Sequence, residues 1–116
     1  MLNTNNKRQV WQKWEELALQ YYVERWYEIL DTNYTIKWWE LDIIAQKDWK
    51  VVFVEVKVVD WVDEIMWYIT PKKLKNLEHT IQVYLYRKNL KFFIRLDVVF
   101  IKNNQILEVF ENVTNR

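Results

Sequence analysis

Residues 39–57 read WELDIIAQKDWKVVFVEVK. Two runs rich in β-branched and apolar residues, Leu41 to Ala45 and Val51 to Val58, flank the polar Lys47-Asp48-Trp49-Lys50, the pattern of strand, turn, strand. With Asp48 and Trp49 as the loop, Lys47 faces Lys50, Asp42 lies opposite Glu55, and Glu40 lies opposite Lys57. Side chains alternate between faces along a strand. Leu41, Ile43, Ala45, Val52, Val54 and Val56 are therefore expected on one apolar face that belongs to the core. The other face carries Ile44, Val51 and Phe53 near the turn, and Glu40, Asp42, Glu55 and Lys57 at its far end.

Two carboxylates directly across a strand pair sit roughly 5 Å apart at Cβ and repel each other. A bridging divalent cation offsets that cost, since Mg²⁺ is held by one or two carboxylates together with water and phosphate oxygens. Lys57 stands on the same face as Glu55, about 6 to 7 Å along the strand, where it can stabilise negative charge beside the ion. Charged residues at alternate strand positions are more often a solvated sheet face, and a bare Glu-x-Lys is a frequent accident. Asp42 across the pair and the long apolar flanks move the balance toward a site.

The order Glu40-x-Asp42, then Glu55-Val56-Lys57 in an apolar strand, resembles the PD-(D/E)XK, restriction-endonuclease-like nuclease superfamily. More closely, the chain resembles the YraN-type family of small nuclease-like proteins. The likeness runs through Glu15-Glu16-Leu17-Ala18, Tyr27-Glu28-Ile29-Leu30, Asn33-Tyr34, Glu40 to Ala45, Val52 to Lys57, Thr70-Pro71-Lys72-Lys73 and Arg95 to Val99. Several motifs in fixed order are more specific than any one of them. The resemblance implies an α/β restriction-endonuclease-like sandwich with a central mixed β-sheet flanked by helices, in the order α-β-β-β-α-β-β. It also implies a metal-dependent endonuclease hydrolysing phosphodiester bonds of DNA, with duplexes, flaps, branched or repair intermediates and RNA all compatible with the motifs. In that reading Asp42, Glu55 and a carbonyl near Val56 hold Mg²⁺ or Mn²⁺, Lys57 activates water with the metal, and Glu15 and Glu40 complete the outer shell. Junction-cutting relatives leave room for a homodimer.

Two positions depart from the family pattern. Val59 stands where a basic residue usually follows the motif lysine, and Thr35 where one usually follows the Asn-Tyr pair. Both losses weaken phosphate contacts. A nucleic-acid-binding module of the same fold without turnover is therefore the alternative, and a protein-interaction domain using exposed aromatics is a third reading.

The composition carries its own signal. At average usage near 7%, a chain of this length holds roughly 8 Gly; this one has none, and it has 8 Trp. Trp11, Trp14, Trp26, Trp38, Trp39, Trp49, Trp61 and Trp67 fall in expected turns or where the resemblance leads one to expect glycine. Asp48-Trp49 is a case in point, because a two-residue type I′ hairpin loop favours Asp-Gly, with positive φ at both residues. Asn, Lys, Ile and Tyr are abundant, whereas Ala is confined to Ala18 and Ala45 and Pro to Pro71, as in AT-rich coding sequence. The expectation is a source that reads UGA as glycine and a sequence translated with UGA as tryptophan. The competing reading makes the tryptophans stacking platforms for single-stranded bases, each worth about 1 to 3 kcal/mol.

One domain of 116 residues is expected, with residues 1–8 and 111–116 loose and, at 51% hydrophobic residues, enough material for one core. A net charge of +1 means that nucleic acid would be held by local patches and the metal and not by a global basic field. The absence of Cys excludes disulfides and thiolate metal sites. No apolar run approaches the ~20 residues of a membrane span. A polar start without a signal-peptide core points to the cytoplasm and to no membrane partner.

Along the chain, Val10 to Arg25 reads as a helix with Trp14, Leu17, Ala18, Tyr21 and Tyr22 on its apolar stripe. Glu15 is a candidate metal-site acid through the resemblance; alone it is more often compensation of the helix dipole. Tyr27 to Tyr34 reads as a strand. Val59 to Ile69, without clear period, reads as a mobile loop over the site. Thr70-Pro71 starts a helix with Thr as N-cap and Pro in the first position. That helix, through Arg87, buries Leu74, Leu77, Ile81, Tyr84 and Leu85. Lys72, Lys73 and Lys75 near its start are unfavourable at the positive end of the dipole and are candidate phosphate contacts, a solubilising patch being the alternative. His79 is expected at the surface or in packing. Phe92 to Ile101 and Gln105 to Phe110 are strands joined at Asn103-Asn104, and Arg95 with Asp97 suits a structural ion pair.

Overall fold

The structure, a computed structural model, describes residues 2–37 and 39–113, with side chains from residue 13 onward. Expectations for Met1, Trp38, the side chain of Trp11 and residues 114–116 lie outside the described residues. The elements are α1 (Leu2–Val23), β1 (Glu28–Ile36), β2 (Trp39–Lys47), β3 (Lys50–Val58), α2 (Glu64–Tyr68), α3 (Pro71–Lys88), β4 (Phe93–Lys102) and β5 (Gln105–Phe110). The five strands form one mixed sheet in the order β1-β2-β3-β4-β5. Only β3 and β4 are parallel, and α2 and α3 make the crossover between them. A sheet apolar on both faces needs a layer on each, and the helices supply them. Among the described residues no helix is long and apolar enough to cross a membrane.

On one face Ala18 and Tyr22 of α1 pack on Ile43, Ala45, Val52, Val54, Val56, Val99 and Ile101. On the other, Leu77, Ile81 and Tyr84 of α3 cover Ile44, Val51, Phe53 and Leu96. Each Val, Leu, Ile or Phe among them, fully buried, contributes about 1.5–3 kcal/mol. The central hairpin has the expected register, from Lys47↔Lys50 to Ile43↔Val54.

Leu41 is a correction: it packs with Ile44 and Phe53 on the α3 side and not with Ile43. The recorded β2–β3 pairing ends at Ile43↔Val54, and the amide of Val56 donates to Asp42 Oδ2 at 2.7 Å instead of to a ladder carbonyl. In β1, Asn33 takes φ 52° between the pairs Thr32↔Ile43 and Tyr34↔Leu41. The strand distorts at Asp42, and strict alternation stops there.

The helix α1 begins at Leu2, ahead of the expected Val10, and residues 2–8 continue it. No Pro interrupts this stretch. The expected mobile loop is also revised, because it contains α2. Val59 and Ile65 are buried there with Val98 and Phe100, and the two amides of Asp60 and Trp61 donate to Glu64 Oε2. The segment after β5 is held as well: Asn112 N donates to Asp97 Oδ1 and Val113 N to Leu96 O.

The start of α3 follows its sequence cue. Thr70 Oγ1 accepts the amide of Lys73 at 3.1 Å, with Pro71 in the first turn. Asn89 closes the helix in the left-handed conformation at φ 54°, the position that glycine or asparagine fills best. Asn103 and Asn104, both at positive φ, make the β4–β5 turn. In the β2–β3 turn only Asp48 has positive φ; Trp49 does not, so this turn is not the expected I′ form.

The end of α1 is different. Trp26 takes φ 70°, its amide reaches Val23 O, and the amide of Tyr27 reaches Tyr22 O, both at 3.0 Å. These are the two bonds of a Schellman motif, whose left-handed residue is usually glycine. A Cβ in that conformation costs about 1–2 kcal/mol. Trp26 is 84% exposed, so little packing offsets the cost. Trp26→Gly is expected to stabilise the protein by about 1 kcal/mol, read as a higher urea midpoint at unchanged slope. An unchanged or lower midpoint would show that the helix end is not strained.

Candidate metal-binding and catalytic site

The distortion at Asp42 lies where β2 and β3 part, beside the middle of α1. Carboxylate oxygens of Glu15, Glu40 and Asp42 all lie within 4.8 Å of one another. Glu15 comes from α1 and is steadied by Asn33 Nδ2 at 3.2 Å. Glu40, exposed, accepts from Thr35 Oγ1 at 3.2 Å. Asp42 is buried and held by the Val56 amide. Glu55, also buried, hydrogen-bonds with the Asp42 carboxyl and accepts from the Tyr68 hydroxyl at 3.1 Å. Four acids thus gather at one end of the hairpin, with Asp42 shared between the Glu15–Glu40 side and the Glu55 side.

The cations come from β3 and α3. Lys57 Nζ lies 5.4 Å from the centre of the Tyr68 ring and Lys73 Nζ lies 3.5 Å from it. Of the three lysines at the start of α3, Lys73 is half-buried and electrostatically linked to Glu55, whereas Lys72 and Lys75 are exposed. His79 is exposed on α3. Val56 enters the site through its amide. The two departures from the family pattern also have a place: Val59 is buried under α2, and Thr35 bonds Glu40.

Burial pushes the Asp42 carboxyl well above the usual carboxylate range; the Glu55 charge adds to the rise and the Val56 amide opposes it. Burial likewise raises Glu55, against the hydrogen bonds from Asp42 and Tyr68 and the charge of Lys73. Glu15 is raised by burial, with the Asn33 hydrogen bond opposing and the charge of Glu40 adding. Burial lowers Lys73, with Glu55 opposing. Crowded, partly desolvated carboxyls of this kind fit a hard divalent cation, because oxygen donors suit Mg²⁺ and Mn²⁺ and their charge compensates the repulsion.

Unfolded, these carboxyls release their protons near pH 4; folded without a cation they retain them to higher pH. In that window the folded state binds more protons, so stability is fully present below about pH 4 and falls as pH rises through the folded values. The metal-free protein is expected to lose thermal midpoint relative to Asp42→Asn as pH rises from about 4 through neutrality. A Mn²⁺ ion held by these acids would compete with the retained protons and would raise the midpoint more at about pH 8 than at about pH 5. A difference between wild type and Asp42→Asn that stays flat with pH would contradict this.

Family comparison agrees with the motifs. The model of the uncharacterised protein family UPF0102 matches residues 14–101, from α1 to the end of β4. The chain belongs to UPF0102, the YraN family. Among UPF0102 relatives, the protein of Thermotoga petrophila is 38% identical over 89 residues, which cover 77% of this chain and 82% of the relative. That of Helicobacter hepaticus is 38% identical over 100 residues, 86% and 89% of the two chains. That of Campylobacter fetus is 32% identical over 102 residues, 88% and 90%. The UPF0102 match spans all four acids as well as Lys57 and the α3 lysines.

The sequence singles out the same acids and lysines, with Asp42, Glu55 and a carbonyl near Val56 as the expected metal set and Glu15 and Glu40 as its outer shell; in the structure the carboxylate oxygens of Glu15, Glu40 and Asp42 lie within 4.8 Å of one another. Tyr68, in the segment expected as a loop, is not among the residues that the sequence singles out. The spacing of Ile65, Tyr68 and Ile69, one helical turn apart, was the available signal.

Proposed function

We propose that this chain is a metal-dependent endonuclease of DNA using Mg²⁺ or Mn²⁺. The observation that carries the reading is the gathering of Glu15, Glu40, Asp42 and Glu55 at the end of the hairpin with Lys57 and Lys73 alongside. Asp42, Glu55, Glu15 and Glu40 would hold the ion. When bound, it supplies Lewis acidity toward a phosphate oxygen and makes its water a stronger nucleophile. Asp42 and Glu55, once ionised, would orient an attacking water and accept its proton. Lys57, two residues from Glu55 in β3, offsets the negative charge that builds on the phosphoryl oxygens during attack. Lys73, Lys72 and Lys75 hold the flanking backbone phosphates, whose recognition needs charge more than sequence.

The test incubates the protein with labelled linear, flapped and four-way-junction DNA in Mg²⁺ or Mn²⁺, beside EDTA controls and Glu55→Ala. Cleavage that needs the cation and is lost in Glu55→Ala is the expected result, and the three substrates rank its preference. Binding that persists in EDTA with no cleavage would replace this reading with a non-catalytic nucleic-acid-binding module, which Thr35 and Val59 in place of basic residues favour.

A further inference from the structure

We propose that Tyr68 is a positioning residue that holds Glu55 and gathers Lys57 and Lys73 beside it, an inference that rests on the nuclease reading above. Its hydroxyl donates to Glu55 Oε2 at 3.1 Å. Both lysine ammoniums lie at its ring, Lys73 at 3.5 Å and Lys57 at 5.4 Å. A carboxylate has about four lone-pair sites, so one phenol bond fixes the rotamer of Glu55 while leaving acceptor capacity for a cation. The ring face attracts ammonium groups, which offsets the repulsion of two lysines brought together. Lys73 also sits in the first turn of α3, where the helix dipole disfavours a cation. Tyr68 and Glu55 are what compensate it there.

The support behind Tyr68 is firm. It ends α2, whose Ile65 is buried with Val59, Val98 and Phe100, and its ring meets Phe100 edge-on at 5.8 Å. The crossover from β3 to α3 thus delivers a hydrogen-bond donor to an acid of β3 and a ring to a lysine of α3. Groups that orient metal-binding carboxylates typically change metal affinity or activity by about 10–100-fold when removed.

Tyr68→Phe keeps the ring and removes only the hydroxyl; Tyr68→Leu removes both. By calorimetry, Tyr68→Phe is expected to bind Mn²⁺ about 10-fold more weakly than wild type. Its Mn²⁺ requirement for cleaving junction DNA should shift in parallel, with KM for DNA and thermal midpoint unchanged. Tyr68→Leu should raise KM in addition, because the lysines lose their ring. Wild-type Mn²⁺ affinity in Tyr68→Phe overturns the assignment. If the wild type binds Mn²⁺ and cuts while Tyr68→Phe equals it, only the role of Tyr68 fails. If the wild type does neither, the nuclease reading fails and this inference with it.

A second inference stands on the backbone at Trp26. We infer that the native polypeptide carries glycine at the tryptophan positions of this sequence, UGA being read as glycine in its source. Trp26 occupies the left-handed residue of a complete Schellman motif. Tryptophan is on average highly buried, yet among those with described side chains none is buried, and Trp26, Trp49, Trp61 and Trp67 are all at least 73% exposed. The chain with 8 Trp has no Gly at all. Intact mass of the protein isolated from its source decides. The expected mass lies below 14.6 kDa by eight tryptophan-for-glycine exchanges. A mass that matches the tryptophan sequence overturns the inference.

Discussion

Under the proposed nuclease chemistry, Lys57→Ala is expected to lower metal-dependent cleavage by about 10²–10³-fold, the loss seen when a single group that stabilises transition-state charge is removed. Folding should be unaffected. Lys57 is half-buried at the open end of β3, its ammonium 5.4 Å from the centre of the Tyr68 ring and electrostatically linked to Glu64 and Lys73; such substitutions usually stay within about 0.5 kcal/mol. The discriminating measurements are single-turnover cleavage in saturating Mn²⁺ and the thermal midpoint of the same sample. Undiminished cleavage with intact folding would remove Lys57 from the mechanism, and a collapsed midpoint would make its role structural.

The largest stability effect is expected at the opposite side of the sheet's centre, in Asp97→Ala. Asp97 is fully buried. Its Oδ1 accepts from Arg95 Nε at 2.8 Å and from the Asn112 amide at 3.0 Å. Its Oδ2 accepts from the second nitrogen of the Arg95 fork at 2.8 Å and from the Tyr22 hydroxyl at 2.7 Å. One carboxylate ties α1, β4 and the segment after β5 together. The Tyr22 phenol is held protonated far beyond its ordinary range, first by burial and then by Asp97. Removing the acid leaves the buried Tyr22 phenol without its acceptor and the partly buried guanidinium with Tyr27 and Glu111 in place of its bidentate carboxylate. Breaking one side of a buried pair costs about 3–5 kcal/mol, against a total of about 5–15 kcal/mol for a domain. Urea unfolding should show the loss; a cost below about 1 kcal/mol would mean that water replaces the network.

Much of this was legible along the chain. The hairpin register, the Thr70-Pro71 start of α3, the Asn103-Asn104 turn and the Arg95–Asp97 pair are local matters of alternation, capping and turn preference, and each stands in the structure as the residues imply. The same local rules misplaced Leu41, because alternation assumes an undistorted strand and β2 gives up its ladder at Asp42. They also missed α2, whose single turn shows only in the spacing of Ile65, Tyr68 and Ile69 and which is held by packing on Val98 and Phe100.

The sequence by itself determined which residue types stand at the end of the hairpin, the acids of β2 and β3 and the lysine beyond them, because strand period and turn length are properties of neighbouring residues. Only the tertiary structure decided which of those acids converge. Glu15 reaches Glu40 and Asp42 through the packing of Ala18 and Tyr22 on the sheet, and Tyr68 reaches Glu55 through the docking of α2. Such meetings depend on how distant helices seat on a shared core, and no local pattern of spacing encodes that distance.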